Sequence, residues 1–139
     1  MDAPTSRRFR AHMDDLQAAL ALAEEFCKRH GVASADALRL VLVLEELFTN
    51  TVMHGHRGNS DAPVLVGLQA AETQLHLHYA DNAAPFDPRQ YLQTASQDPD
   101  VDRARLGGHG LWLVAEMAER LEHAHDGGYN RLTLVLRRS

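Results

Sequence analysis

The apolar residues of this chain change their period partway along it, and that change constrains the fold more than any other feature. Leu16, Ala19, Leu20, Ala23, Phe26 and Cys27 recur with the spacing of one helical face, after a short basic start at Arg7, Arg8 and Arg10. This helix is expected to end at Gly31, where a left-handed cap costs glycine little. Ser34 is a suitable cap for a second helix with Asp36 in its first turn, and Leu38, Val41, Leu42, Leu44, Phe48 and Val52 carry it to about His54. Past Gly55 and Gly58 the period drops to two. Val64, Val66 and Leu68, then Leu75, Leu77 and Tyr79 beyond a turn near Ala71 to Thr73, predict a hairpin.

From Ala83 to Gly108 no period survives, and Pro85, Pro88 and Pro99 punctuate a polar stretch. A loop of that length inside a compact domain is more often functional than idle. A third helix is expected from near His109, with Leu111, Val114, Ala118 and Leu121 on one side. Asp126-Gly127-Gly128 then marks a turn, and Leu132, Leu134 and Leu136 alternate to the C-terminus. Helical elements followed by alternating ones imply an α+β domain over residues 1–139, with helices layered on one face of a sheet.

Composition sets the outer limits. With 45% hydrophobic and 24% charged residues, a chain of 139 residues buries enough surface to need neither disulfide nor metal for a core. Cys27 stands alone, which excludes a disulfide within the chain. No apolar run reaches the length of a membrane span, and the first ten residues lack a hydrophobic signal core, so a cytoplasmic protein without a membrane partner is expected. The net charge of −5 argues against direct binding of nucleic acid, which needs clustered Lys and Arg.

Three short stretches carry the chemistry. Glu46, Asn50 and His54 are spaced by four and stack along one face of the second helix. Asparagine costs up to about 0.7 kcal/mol relative to alanine inside a helix, so Asn50 among Leu47, Phe48 and Val52 calls for a reason. A ligand is one: a carboxylate to accept a proton, and an amide oxygen for a hard cation such as magnesium. The solvated face of an amphipathic helix is the other. Asp81, past a predicted strand and followed by Asn82-Ala83-Ala84-Pro85-Phe86-Asp87, can accept a hydrogen bond from an amine, although Asp-Asn before Pro is also an ordinary turn. Gly107-Gly108-His109-Gly110-Leu111 opens the third helix, where backbone N–H groups and the helix dipole favour a phosphate. It has neither the Lys-Ser/Thr of a P-loop nor the context of a dinucleotide fingerprint.

Taken in order, Glu45-Glu46-Leu47-Phe48-Thr49-Asn50-Thr51-Val52-Met53-His54-Gly55, then Asp81 to Asp87, then Gly108-His109-Gly110-Leu111 resemble the N, G1 and G2 boxes of the GHKL ATPases. The stand-alone branch of anti-sigma factor serine/threonine kinases is the most similar, through Glu46, Pro85-Phe86-Asp87 and the closing Asn130-Arg131-Leu132-Thr133-Leu134. The resemblance implies the Bergerat ATP-binding fold, a two-layer α/β sandwich with helices on one face of a mixed, mostly antiparallel sheet. It implies ATP and Mg2+ as cofactors, Glu46 as general base and Asn50 as magnesium ligand. Asp81 would hold the adenine amine, and Thr133 would support that contact through water. His54, Arg105, Gly108, His109, Gly110 and Leu111 would surround the nucleotide, with Arg103 beside Arg105 in the lid.

The partners it implies are an anti-anti-sigma protein of STAS type, phosphorylated on Ser or Thr, and a sigma factor regulated by binding. A homodimer through the sheet or the N-terminal segment is also implied. Two alternatives stand beside this: a nucleotide-dependent protein-binding module without kinase activity, and a detached catalytic domain of a histidine kinase. Ala83 departs from the glycine of many G1 boxes, and Glu45 adds a second carboxylate that one helical step turns about 100° from Asn50's face. The histidine pairs His76 with His78 and His123 with His125 read as solvated strand residues, because zinc sites need three or four spaced ligands. Cys27 reads as a buried inert thiol, and Trp112 as a packing or contact residue.

Overall fold

A computed structural model describes residues 4–85, 114 and 116–139. Its order is β1 (Thr5–Arg10), a 3-10 turn (Met13–Asp15), α1 (Leu16–Arg29), α2 (Ser34–Asn50), a π-helical turn (Thr51–Gly55), β2 (Pro63–Ala70), β3 (Gln74–Asp81), β4 (Arg120–Asp126) and β5 (Tyr129–Arg137). The strands form one sheet in the order β1-β2-β3-β5-β4, and every described pair is antiparallel. The α+β class and the single helical layer follow the expectation. Leu75, Leu77 and Tyr79 of β3 and Leu132, Leu134 and Leu136 of β5 bury one face of the sheet against Leu20, Phe26, Leu44 and Phe48 of the helices.

Helix α1 buries Leu16, Ala19, Leu20, Ala23, Phe26 and Cys27, the six positions its period selects. It closes at Gly31, with φ +63°, through Val32 N–H to Cys27 O at 2.9 Å and Gly31 N–H to Lys28 O at 3.3 Å, the paired bonds of a Schellman cap. Helix α2 departs from expectation at its start. Ala33 is its N-cap and Ser34 its first helical residue, with no side-chain cap. Asp36 instead turns inward, where its carboxylate accepts hydrogen bonds from Arg39 and from the Ser139 N–H and hydroxyl. Leu38 and Leu42 are exposed, because the buried stripe runs through Leu40, Val43, Leu44, Leu47 and Phe48. The helix reaches the expected region by a wider last turn, in which His56 N–H donates to Thr51 O at 2.9 Å, five residues back.

Strand β1 is absent from the periodicity. Only Phe9 of Thr-Ser-Arg-Arg-Phe-Arg is buried, so this edge strand shows no apolar alternation, while its arginines discourage further edge pairing. Its register, Thr5 to Leu68 through Arg10 to Pro63, comes from β2. At the other end Leu121 belongs to β4, opposite Leu134, and not to the third helix. Of that helix, Val114 is buried and accepts from Ala118 N–H at 3.1 Å. The β4–β5 turn is the expected one: Gly127 and Gly128 both take positive φ, +61° and +82°, as a two-residue hairpin of this hand requires.

Candidate functional site

The antiparallel register sets the C-terminal end of β3 beside the start of β5, so that Asp81 faces Asn130 directly. Helix α2 runs over that end of the sheet and delivers Thr51, the first residue of the π-helical turn. Asp81 is buried to 8% exposure, and three donors hold its carboxylate. The Thr51 hydroxyl reaches Oδ2 at 2.8 Å, and the Asn130 amide and the Ala83 N–H reach Oδ1 at 2.9 and 3.2 Å. Asn130 also donates to the carbonyls of Ala83 and Ala84, at 3.2 and 3.0 Å, tying down the chain that leaves β3. Behind Thr51 lies the Tyr79 hydroxyl, 2.6 Å away, itself 3.2 Å from Leu47 O. Burial raises the Tyr79 phenol well above its ordinary range, so it stays protonated.

These groups line a small cavity together with Asn50, His123 and Leu132. Its volume of about 30 Å³ holds a water molecule, which needs roughly 10–15 Å³, and so it forms the floor of a site and not the whole of one. A carboxylate offers about four acceptor positions. With three donors in place, Asp81 retains one, on Oδ2, and that single position suits an exocyclic amine.

Of the residues singled out in the sequence, Asn50 and Asp81 meet at this cavity. Glu46 lies one turn before Asn50 on α2 and is partly buried; burial, then the neighbouring Glu45 carboxylate, raise its carboxyl above the ordinary range. That is the direction a proton acceptor near neutral pH requires. His54 sits exposed on the π-helical turn, outside the cavity lining, because the wider turn shifts it from the stripe of Glu46 and Asn50. Thr133 requires a correction. It points to the opposite face of the sheet, against His78 Nδ1 at 3.4 Å, since the period of two places Asn130, Leu132 and Leu134 on the helix side. The polar group of the last strand that reaches Asp81 is Asn130. Phe86, Asp87, Arg103, Arg105, Gly108, His109, Gly110, Leu111 and Trp112 lie outside the described residues.

Ala83 is buried, and a methyl placed on Gly55 would come within 2.9 Å of its Cβ. The departure from glycine in the second box therefore fills space above the end of the first. Thr51, Tyr79, Asn130 and His123 escaped the sequence reading as site residues. Three of them carried a signal: Thr51 adjoins Asn50, Tyr79 precedes Asp81 by one strand period, and Asn130 shares the face of Leu132 and Leu134.

A larger concavity of about 490 Å³ lies on the helix-free face of the sheet, lined by Arg8, Gly67, His78, Arg131 and Thr133, and contains none of the helix α2 residues. His76 and His78 share that face with ring centroids 6.5 Å apart, and no cluster of three metal-binding side chains occurs among the described residues. Cys27 is buried, which pushes its thiol up to about 11 and leaves it inert.

The chain is similar to known proteins along most of its length. The family model for the histidine kinase-like ATPase domain matches residues 9–136. The serine/threonine-protein kinase BtrW of Bordetella bronchiseptica is 34% identical over 96 residues, covering 69% of this chain and 67% of that protein. The serine-protein kinase RsbW of Listeria innocua is 28% identical over 96 residues, covering 64% of this chain and 59% of its own length. A crystal structure of the RsbU and RsbW domains of a Mycobacterium tuberculosis protein superposes with a TM-score of 0.66 at 18% identity, covering 99% of this chain and 34% of that one.

Proposed function

Because the chain belongs to the histidine kinase-like ATPase family, we propose that it binds Mg-ATP at the Asp81 cavity and phosphorylates a serine or threonine of a STAS-type anti-anti-sigma protein. In the same reading it regulates a sigma factor by binding it, acts as a homodimer and works in the cytoplasm. No helix among the described residues is long and apolar enough to cross a membrane. The observation that carries the proposal is the Asp81 carboxylate, buried, held by three donors and left with one acceptor position, on the same floor as Asn50.

Asp81 accepts the exocyclic amine of adenine, and Asn50 offers its amide oxygen to magnesium. When bound, the ion offsets charge on the phosphates. Glu46, with its raised carboxyl, accepts the proton of the attacking hydroxyl. A new bond forms between the substrate oxygen and the γ-phosphorus, the bond to the bridging oxygen breaks, and ADP leaves with that oxygen's electron pair. His54, Arg105, Gly108, His109, Gly110 and Leu111 serve the phosphates in this reading. Thr133 is not part of it.

Thermal unfolding with and without millimolar Mg-ATP, followed by transfer of radiolabelled phosphate to a STAS-domain partner, tests the proposal. At 100 times the dissociation constant the nucleotide adds about 2.7 kcal/mol of stability. Glu46→Gln is expected to keep that shift and lose transfer, and Asp81→Asn to lose the shift. An unshifted wild-type protein would overturn the reading, and a shift without transfer would favour a nucleotide-dependent binding module.

A further inference from the structure

The contacts around Thr51 hold more information than its bond to Asp81. Its Oγ1 lies 2.6 Å from the Tyr79 hydroxyl, 2.8 Å from Asp81 Oδ2 and 3.0 Å from Leu47 O. Two hydroxyl protons serve these contacts and the Tyr79 to Leu47 O contact at 3.2 Å. An oxygen pair at 2.6 or 2.8 Å without a proton between them is repulsive, most of all when one belongs to a carboxylate. Only one arrangement places a proton in both short contacts. Tyr79 donates to Thr51, and Thr51 donates to Asp81. The competing arrangement, with Thr51 donating back to Leu47 O as hydroxyls do in helices, leaves Oδ2 facing a lone pair.

We infer that Tyr79 is a positioning residue for purine recognition: its hydroxyl, by donating to Thr51, turns the Thr51 proton onto Asp81 Oδ2 and leaves that oxygen one acceptor position for a 6-amino group. The inference rests on the proposed nucleotide reading and extends it to a residue that lies one layer behind the carboxylate. Both hydroxyls are buried, so bulk solvent does not compete for their protons. A hydroxyl that accepts one hydrogen bond donates a stronger one. Phenylalanine at 79 keeps the ring in the core and frees Thr51 to alternate between Leu47 O and Asp81. A 6-keto purine sets its own oxygen against Oδ2, and a Thr51 proton released from Asp81 can then turn toward that oxygen.

Calorimetric titration with ADP and with inosine diphosphate, in magnesium and at a temperature where every variant is folded, tests this. Tyr79→Phe is expected to weaken ADP about three- to tenfold, the worth of one buried hydrogen bond, and to narrow the preference for ADP over inosine diphosphate. Thr51→Val is expected to weaken ADP at least as much, and Thr51→Ser to restore near-wild-type affinity. Adding Tyr79→Phe to Thr51→Val is expected to change nothing further, because the relay is already cut. Unchanged ADP affinity in Tyr79→Phe, or effects that multiply in the double variant, would overturn the relay. Asp81→Asn separates the two readings. If it weakens ADP while Tyr79→Phe does not, only the relay falls; if it leaves ADP affinity intact, the nucleotide site at Asp81 falls and the relay with it.

Discussion

Replacing Gly55 by alanine tests the packing between the end of helix α2 and the strand-β3 exit. A methyl group there would lie 2.9 Å from the Ala83 Cβ, closer than carbon atoms pack, and Gly55 has no positive φ that would add backbone strain. Overpacking of this kind costs about 1–3 kcal/mol, and the lower chain entropy of alanine returns about 0.4–1 kcal/mol, for a net loss of about 1–2 kcal/mol. Ala83→Gly deletes one buried methyl, about 0.8 kcal/mol, and adds glycine's unfolded-state entropy, again a loss of about 1–2 kcal/mol. Independent sites would sum to about 2–4 kcal/mol. In the double variant the methyl at 55 enters the space vacated at 83, so stability is expected within about 1 kcal/mol of wild type, a coupling near 2 kcal/mol. Urea denaturation measures this, supported by thermal midpoints that move by about 4 °C per kcal/mol in a domain of this size. A double variant as unstable as the sum of the singles would refute the reasoning.

Glu46→Gln is expected to stabilise the fold at neutral pH as well as abolish transfer. The Glu46 carboxyl is raised in the folded state, so ionising it penalises folding above that value; the gain from glutamine disappears as pH falls below the unfolded carboxyl's value of about 4.3, and thermal midpoints against pH show it. Asp36→Ala is expected to cost about 2–3 kcal/mol, measured by denaturant unfolding, because it strips Arg39 and Ser139 of their shared acceptor. Burial alone would raise that carboxyl, but the Ser139 and Arg39 hydrogen bonds outweigh it; its stabilisation is therefore present above about pH 3.9 and lost as pH falls through the lower folded value. Cys27, with its thiol pushed up to about 11, is expected to resist alkylation at pH 7.5 and to react only in denaturant.

What the sequence determined by itself was whatever is written in local periods. The face of helix α1, its glycine cap, the β2–β3 hairpin and the final two-glycine turn follow from spacing and φ requirements that a few neighbouring residues set. Spacing and order also marked Glu46, Asn50 and Asp81 as candidates, the residues on which the proposed function draws. Tertiary structure decided what depends on partners far along the chain. Strand β1 exists because β2 pairs with it, not because its own residues alternate. Leu38 and Leu42 are left outside because the sheet selects a neighbouring stripe of α2. Ser34 gives up its cap role while Asp36 is claimed by Ser139, 103 residues away. The last-strand partner of Asp81 is Asn130 and not Thr133, since sheet register decides which side of β5 faces the carboxylate. The same register brings Tyr79 behind Thr51. A local sequence pattern marks which groups can recognise a ligand, but the direction in which their protons point is fixed only when buried side chains from separate elements compete for the same acceptors.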